Sequence, residues 1–291
     1  MALRYDVVDV FTDRPYAGNP LAVVHGGTDL TGAQMQTIAA EFGLSETAFP
    51  LPPTVPGADY RLRIFTPARE LPFAGHPSVG AAWVLARDRV IGTGDVVQEC
   101  GAGLLPVSVD EHGAQVTGGP PELGGDRDGP ALATALGLSA ADLDPAVPAG
   151  VAAAGVPFGF LPVRPDAVAR AAPDPAALRV LTDGLVGLAV FAFDRASWRA
   201  HLRMFAPDVG VSEDPATGSA AVALGVFLAG RGLLADGQTG FVVDQGVELG
   251  RPSRLGVLVH VAAGIAVRTS VHGTVAAVAR GELVAMPAAA G

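Results

Sequence analysis

The chain carries one short pattern twice, and the apolar run after each copy restricts the folds open to it. Residues 63–82 read RIFTPARELPFAGHPSVGAA and residues 203–220 read RMFAPDVGVSEDPATGSA. Setting His76-Pro77-Ser78-Val79-Gly80-Ala81-Ala82 over Asp214-Pro215-Ala216-Thr217-Gly218-Ser219-Ala220 aligns Pro, Gly and the last Ala, with Arg-x-Phe-x-Pro upstream in both. A polar residue, Pro, small residues and Gly before an apolar run is how a strand-to-loop segment hands over to a helix with Pro at its first position. The runs that follow, 79–86 (VGAAWVLA) and 219–229 (SAAVALGVFLA), are apolar or small all round. A helix without a polar face is buried on every side, so a sheet must curve about it. The expected class is α+β: two pseudo-symmetric domains, each a curved, mostly antiparallel sheet wrapped around a buried central helix. A doubly wound dinucleotide fold competes poorly, because no Gly-x-Gly-x-x-Gly stands between a strand and a helix.

Alternating residues 5–11, then 21–24, read as strands in the first half. Thr31 with Gln34 forms a capping box, Met35, Ile38, Ala39 and Phe42 recur at helical spacing, and Gly43 stops the helix, which predicts a helix over 32–42. Further strands are expected over 60–65, 94–100, 103–109 and 113–117. Gly and Pro crowd residues 118–130, so 119–129 reads as a linker between a domain of residues 1–118 and one of residues 130–273. A strand near 274–285 is expected to complete the first domain. In the second half, a helix near 130–137 and strands near 158–163, 185–193, 201–205, 240–244, 255–262, 265–271 and 274–284 are expected.

Composition narrows the chemistry. With 291 residues and 49% hydrophobic content there is material for two cores. A net charge of −10 repels phosphate backbones and anionic membranes, so neither nucleic acid nor a membrane is an expected partner. The opening MALRYDVVDVF holds Asp6 and Asp9 and no apolar signal core, and no apolar stretch reaches a membrane span. A soluble cytoplasmic protein is expected. All 19 basic residues are Arg, which removes a lysine Schiff base and the lysine of a phosphate loop. The single Cys100 excludes an intrachain disulfide and two-thiol chemistry, and reads as a core thiol.

Three places could carry chemistry. Helix N-termini present unpaired N–H groups that bind carboxylates and stabilise enolates, and Gly75-His76 and Gly218-Ser219 would supply them. Asp214 reads equally well as a helix cap before Pro215 and as a functional carboxylate. Imidazole is a poor cap, so His76 points to a ligand or another structural partner. Glu46, within Ser45-Glu46-Thr47, stands in an apolar frame that favours proton exchange near neutral pH, while a solvent-facing residue on a strand edge explains it as well. Asn19 reads as a turn residue. The six histidines lack metal-ligand spacing, so no metal is expected, and no Gly-x-Ser-x-Gly supports a serine triad.

FTDRPYAGNPLAVV (11–24), FGLSETAF (42–49), FTPARELPFAGHPSVGAA (65–82), EDPATGSAA (213–221) and QGVELGRPS (245–253) together resemble the PhzF-like isomerase family of phenazine biosynthesis, in order over nearly the whole chain. The resemblance implies the diaminopimelate epimerase-like fold, with the site between two pseudo-symmetric domains, and a homodimer. By similarity Glu46 would carry a proton between two substrate carbons. His76 and Asp214 would hold the substrate and assist, Gly75, Gly218 and Ser219 would frame a carboxylate site, and Ser45 would also bind substrate. The implied activity is a cofactor-free isomerisation of a small carboxylic acid, a class that includes cyclic amino acids. A binding protein that keeps the site without turnover is the alternative.

Overall fold

The structure, a computed structural model, describes residues 2–207 and 211–288. It divides into two compact units: one runs to Thr117 and resumes at His272, the other spans Gly118–Val271.

The first unit contains β1 (Leu3–Val10), β2 (Asn19–Val24), α1 (Gly32–Phe42), β3 (Glu46–Leu51), β4 (Tyr60–Phe65), β5 (Glu70–Leu71), α2 (Gly75–Arg87), β6 (Gly94–Cys100), β7 (Gly103–Val109) and β8 (Gly113–Thr117). The Thr31 box forms as expected: the Gln34 N–H donates to Thr31 Oγ1, Gln34 Oε1 accepts the Thr31 N–H, and Gly43 closes α1 at φ 61°. Antiparallel pairing dominates, with parallel exceptions at β2–β3 and β4–β6. Helix α2 lies against β1, β2, β3, β7 and β8 and is buried along most of its length. The sheet therefore wraps it, as a helix without a polar face requires.

Gly80 shows how close that fit is. A Cβ there would come within 2.6 Å of a Leu21 methyl and 2.8 Å of a Val10 methyl. Gly80→Val should therefore cost about 3 kcal/mol, measured as a shift in the urea unfolding midpoint. A wild-type midpoint would mean that α2 is not gripped by these strands.

The second unit contains β9 (Pro121–Asp126), α3 (Gly129–Ala135), β10 (Gly150–Ala154), β11 (Pro157–Pro162), α4 (Pro165–Arg170), α5 (Pro175–Leu181), β12 (Leu188–Asp194), β13 (Arg199–Ala206), β14 (Val211–Asp214), α6 (Gly218–Gly230), β15 (Gly237–Gln245), β16 (Ser253–Ala262) and the start of β17 (Ile265–Leu283). Helix α6 lies against β9, β10, β11 and β16, and all of it but Ser219 and the terminal Gly230 is buried. Phe160, Phe191 and Phe227 stack edge-on or tilted within 5.2–6.2 Å in the same core. A second cluster, built on Leu132, Leu161, Leu178 and Phe205, packs α3, α4 and α5 onto β11, β12 and β13.

The repeated Arg has the same task in both units. Arg63 donates two bonds of 2.7 Å to Glu70, and Arg203 donates bonds of 2.9 and 2.8 Å to Glu213. Each bidentate pair ties the strand bearing Arg-x-Phe to the segment leading toward the next helix. In the second copy, residues 208–210 lie outside the described residues.

Several expectations change. Residues 119–129 are not an open linker: β9 pairs antiparallel with β10, and an added Cβ at Gly124 would meet Val151 at 2.8 Å. Gly119 and Gly124 there allow a close approach of neighbouring backbone. The strands expected at 265–271 and 274–284 are one strand, β17, whose Gly273 admits the Phe11 ring where a Cβ would stand 2.1 Å away. No Pro occupies a first helical position in α2 or α6. Pro77 is third in α2, and Pro215 precedes the first turn of α6. Among the described residues no helix is long and apolar enough to cross a membrane.

Candidate active site

Parallel pairing of β2 with β3 sets Leu21 opposite Glu46, and the first turn of α2 brings His76 to the same place. Three segments distant in sequence thereby converge. His76 Nε2 stands 3.5 Å from Glu46 Oε2, with the imidazole 6% and the carboxylate 17% exposed. The ring also donates to the Pro20 carbonyl; because Nε2 makes no hydrogen bond, that donor is Nδ1. The tautomer is thus fixed, leaving the Nε2 lone pair toward Glu46. Burial pushes the imidazole down to about 3, outweighing the Pro20 bond that would raise it. His76 is neutral at physiological pH.

A buried neutral histidine has a consequence for stability. Below its ordinary value of 6.5 the unfolded ring takes up a proton while the native ring does not, so stability falls from pH 6.5 down to about 3. His25, whose imidazole burial also lowers, acts in the same direction. Urea unfolding should show a loss of about 2 kcal/mol from His76 alone between pH 6.5 and 5. A midpoint that does not move over that interval would contradict a buried, neutral ring.

Ser45, half-buried, precedes Glu46, and buried Gly75 opens α2 beside His76. The first unit therefore assembles Ser45, Glu46, Gly75 and His76. In the second unit, Asp214 ends β14, and its Oδ2 accepts the Thr217 hydroxyl at 2.5 Å. Asp214 is not the cap: Thr217 holds that position, and Gly218 and Ser219 begin α6. Asp214, Gly218 and Ser219 are thus gathered around Thr217.

Other expectations fare differently. Asn19 is not a turn residue but the fully buried first residue of β2, paired with Val10. Cys100 is half-buried at the end of β6, and burial raises its thiol. Among the described residues one group could offer metal ligands: Asp6, His25 and Asp88, with donor atoms within 4.8 Å. Arg87 and Arg280 already contact both carboxylates, and Arg4 contacts Asp88, so the group is an ion-pair network. Sequence reasoning missed Pro20, Thr217 and Gln245. Pro20 and Gln245 lay inside matched motifs, but nothing in the spacing tied the first to His76 or the second to Asp214.

A half-buried carboxylate thus faces a neutral imidazole at a helix N-terminus, on a curved α+β scaffold. The family model of phenazine biosynthesis-like proteins (PhzC-PhzF) matches residues 8–281. The chain is 38% identical to trans-2,3-dihydro-3-hydroxyanthranilate isomerase of Pseudomonas aeruginosa, covering 87% of this chain and 88% of that one. It is 36% identical to an uncharacterized isomerase of Mesorhizobium japonicum, covering 96% and 98%. A crystal structure of a PhzF-family phenazine biosynthesis protein of Bacillus anthracis superposes with a TM-score of 0.89 at 26% identity, covering 98% of this chain and all of the other. The chain belongs to the phenazine biosynthesis-like (PhzF) family and is an isomerase.

Proposed function

We propose that this isomerase moves a proton between carbons of a small carboxylic acid without a cofactor, with Glu46 as the acid/base. The observation that carries the reading is His76 Nε2 facing Glu46 Oε2 at 3.5 Å while Nδ1 is committed to Pro20. A neutral imidazole lone pair opposite a carboxyl group accommodates one proton between them. Glu46 can then deliver that proton to one carbon and take one from another, with His76 accepting from the protonated form and orienting it. The N–H groups at Gly75-His76 and at Gly218-Ser219 are suited to a substrate carboxylate and to the negative charge that develops on proton removal. In this reading Asp214, hydrogen-bonded by Thr217, binds a polar substituent of the substrate, and Ser45 contributes a hydroxyl beside Glu46.

The 38% relative named for trans-2,3-dihydro-3-hydroxyanthranilate supports a cyclic amino acid as the substrate class. A homodimer acting in the cytoplasm belongs to the same proposal, and its mass is read by sedimentation equilibrium. The test is incubation with trans-2,3-dihydro-3-hydroxyanthranilate and a panel of cyclic and α-amino carboxylic acids, with products read by proton NMR. An isomer formed from a cyclic amino acid is the expected result. Isomerisation restricted to acyclic acids would overturn the substrate class, and binding of these acids without conversion would favour a site that recognises without reacting.

A further inference from the structure

Beyond the acid/base pair, each unit holds a buried amide. Gln245, the last residue of β15, is fully buried. Its Nε2 donates to the Asp214 carbonyl at 2.7 Å and to Thr217 Oγ1 at 3.0 Å, and its Oε1 accepts the Thr217 N–H at 3.1 Å. With Thr217 Oγ1 accepting from Gln245, the one hydroxyl hydrogen is directed at Asp214 Oδ2. Close approach of the same segment is built into the next residue: a Cβ at Gly246 would stand 2.6 Å from the Pro215 carbonyl.

The first unit has a counterpart. Gln98 in β6 is also fully buried; its Nε2 donates to Ser78 Oγ at 3.0 Å, and its Oε1 accepts the Tyr60 hydroxyl at 3.0 Å. Ser78 in turn donates to the carbonyl of Ala74, the cap of α2, at 2.9 Å. β6 is the parallel neighbour of β4, and β15 that of β13, so each glutamine stands on the strand beside the one that carries Arg-x-Phe.

We propose that Gln98 and Gln245 are a duplicated pair of positioning residues, each clasping the start of a buried helix through a Ser or Thr hydroxyl. Gln98 fixes the backbone that bears Gly75 and His76. Gln245 fixes the Asp214 carboxylate and the Thr217-Gly218 backbone. A buried amide must be satisfied somewhere. Here the side-chain bonds of Gln245 described above fall on Asp214 and Thr217, at the start of α6. The functional consequence rests on the reading of His76 and Asp214 given above.

The test compares Gln245→Leu, Thr217→Val, Thr217→Ser, the Gln245→Leu/Thr217→Val double variant and Asp214→Asn with wild type. Amide hydrogen exchange needs no substrate. In Gln245→Leu, exchange at Thr217 and Gly218 should accelerate at least about tenfold, with the rest of α6 and the first unit unchanged. With trans-2,3-dihydro-3-hydroxyanthranilate, kcat should fall about tenfold or more in Gln245→Leu and Thr217→Val with a smaller change in KM. The double variant should lose no more than either single one, and Thr217→Ser should retain activity. Wild-type exchange at Thr217 and Gly218 in Gln245→Leu overturns the positioning role, as does additive loss in the double variant. If Gln245→Leu does not fold, Thr217→Val carries the same kinetic and exchange tests. Wild-type kcat in Asp214→Asn, or no turnover by wild type, instead removes the reading of Asp214, and exchange still decides the role of Gln245.

Discussion

Glu46→Gln lowers turnover by a factor on the order of 10²–10⁴, about 3–5 kcal/mol of transition-state stabilisation, and leaves the urea midpoint unchanged. The glutamine amide has the shape of the carboxyl group and can donate to the lone pair of His76 Nε2, so the contact at the start of β3 survives. It cannot take up or release a proton, and the loss falls on kcat rather than on KM. Stopped assays over a range of substrate concentrations, with unfolding curves on the same preparations, separate the two. Full activity in the variant would remove Glu46 from the mechanism.

The second large effect is on stability. Asp6→Ala should cost about 2–3 kcal/mol, because it removes the buried acceptor of three hydrogen bonds and leaves Asp88 alone to pair with Arg87 and Arg280. Asp6 is 1% exposed, and it accepts bonds of 2.8 Å each from Arg87, Arg280 and His25. Burial alone would raise its carboxyl; the bonds from Arg87, His25 and Arg280 outweigh burial and hold it below its ordinary value of 3.8. The native state thus binds the proton more weakly than the unfolded chain. The carboxylate's contribution is fully present above pH 3.8 and is lost as pH falls below that value through the lowered native one. Urea unfolding at pH 7 should show the full deficit in Asp6→Ala, and the gap from wild type should narrow below pH 3.8. A deficit independent of pH would assign the loss to packing rather than charge.

Much of this architecture could be read from local chemistry. The capping box at Thr31 and Gln34 and the apolar period of α1 are local signals, and they place that helix at its observed bounds. The all-apolar runs of α2 and α6 announce burial whatever the partners are. Where long-range pairing decides, the sequence is silent. β9 is a strand only because β10 pairs with it, and its Gly and Pro residues imitate a linker. Helix starts resisted reading for a related reason: the aligned words place His76 over Asp214, yet α2 begins before His76 and α6 begins well after Asp214.

The candidate site divides along the same line. Motif residues were visible as motifs, but the approach of His76 to Glu46 depends on β2 lying parallel to β3 with Leu21 opposite Glu46. No local signal carries that register. Gln98 and Gln245 escaped for another reason: a polar side chain in a strand reads as solvent-facing until its hydrogen-bond partners are known. Their partners, Ser78 and Thr217, look like ordinary small residues of the repeated word.

Whether Glu46 itself transfers the proton is tested most directly by proton NMR in D₂O, with trans-2,3-dihydro-3-hydroxyanthranilate, wild-type protein and Glu46→Gln side by side. The expected result is isomerised product carrying deuterium at the protonated carbon with wild type, and neither product nor deuterium above background with Glu46→Gln. Deuterium incorporated equally by both proteins would contradict Glu46 as the acid/base.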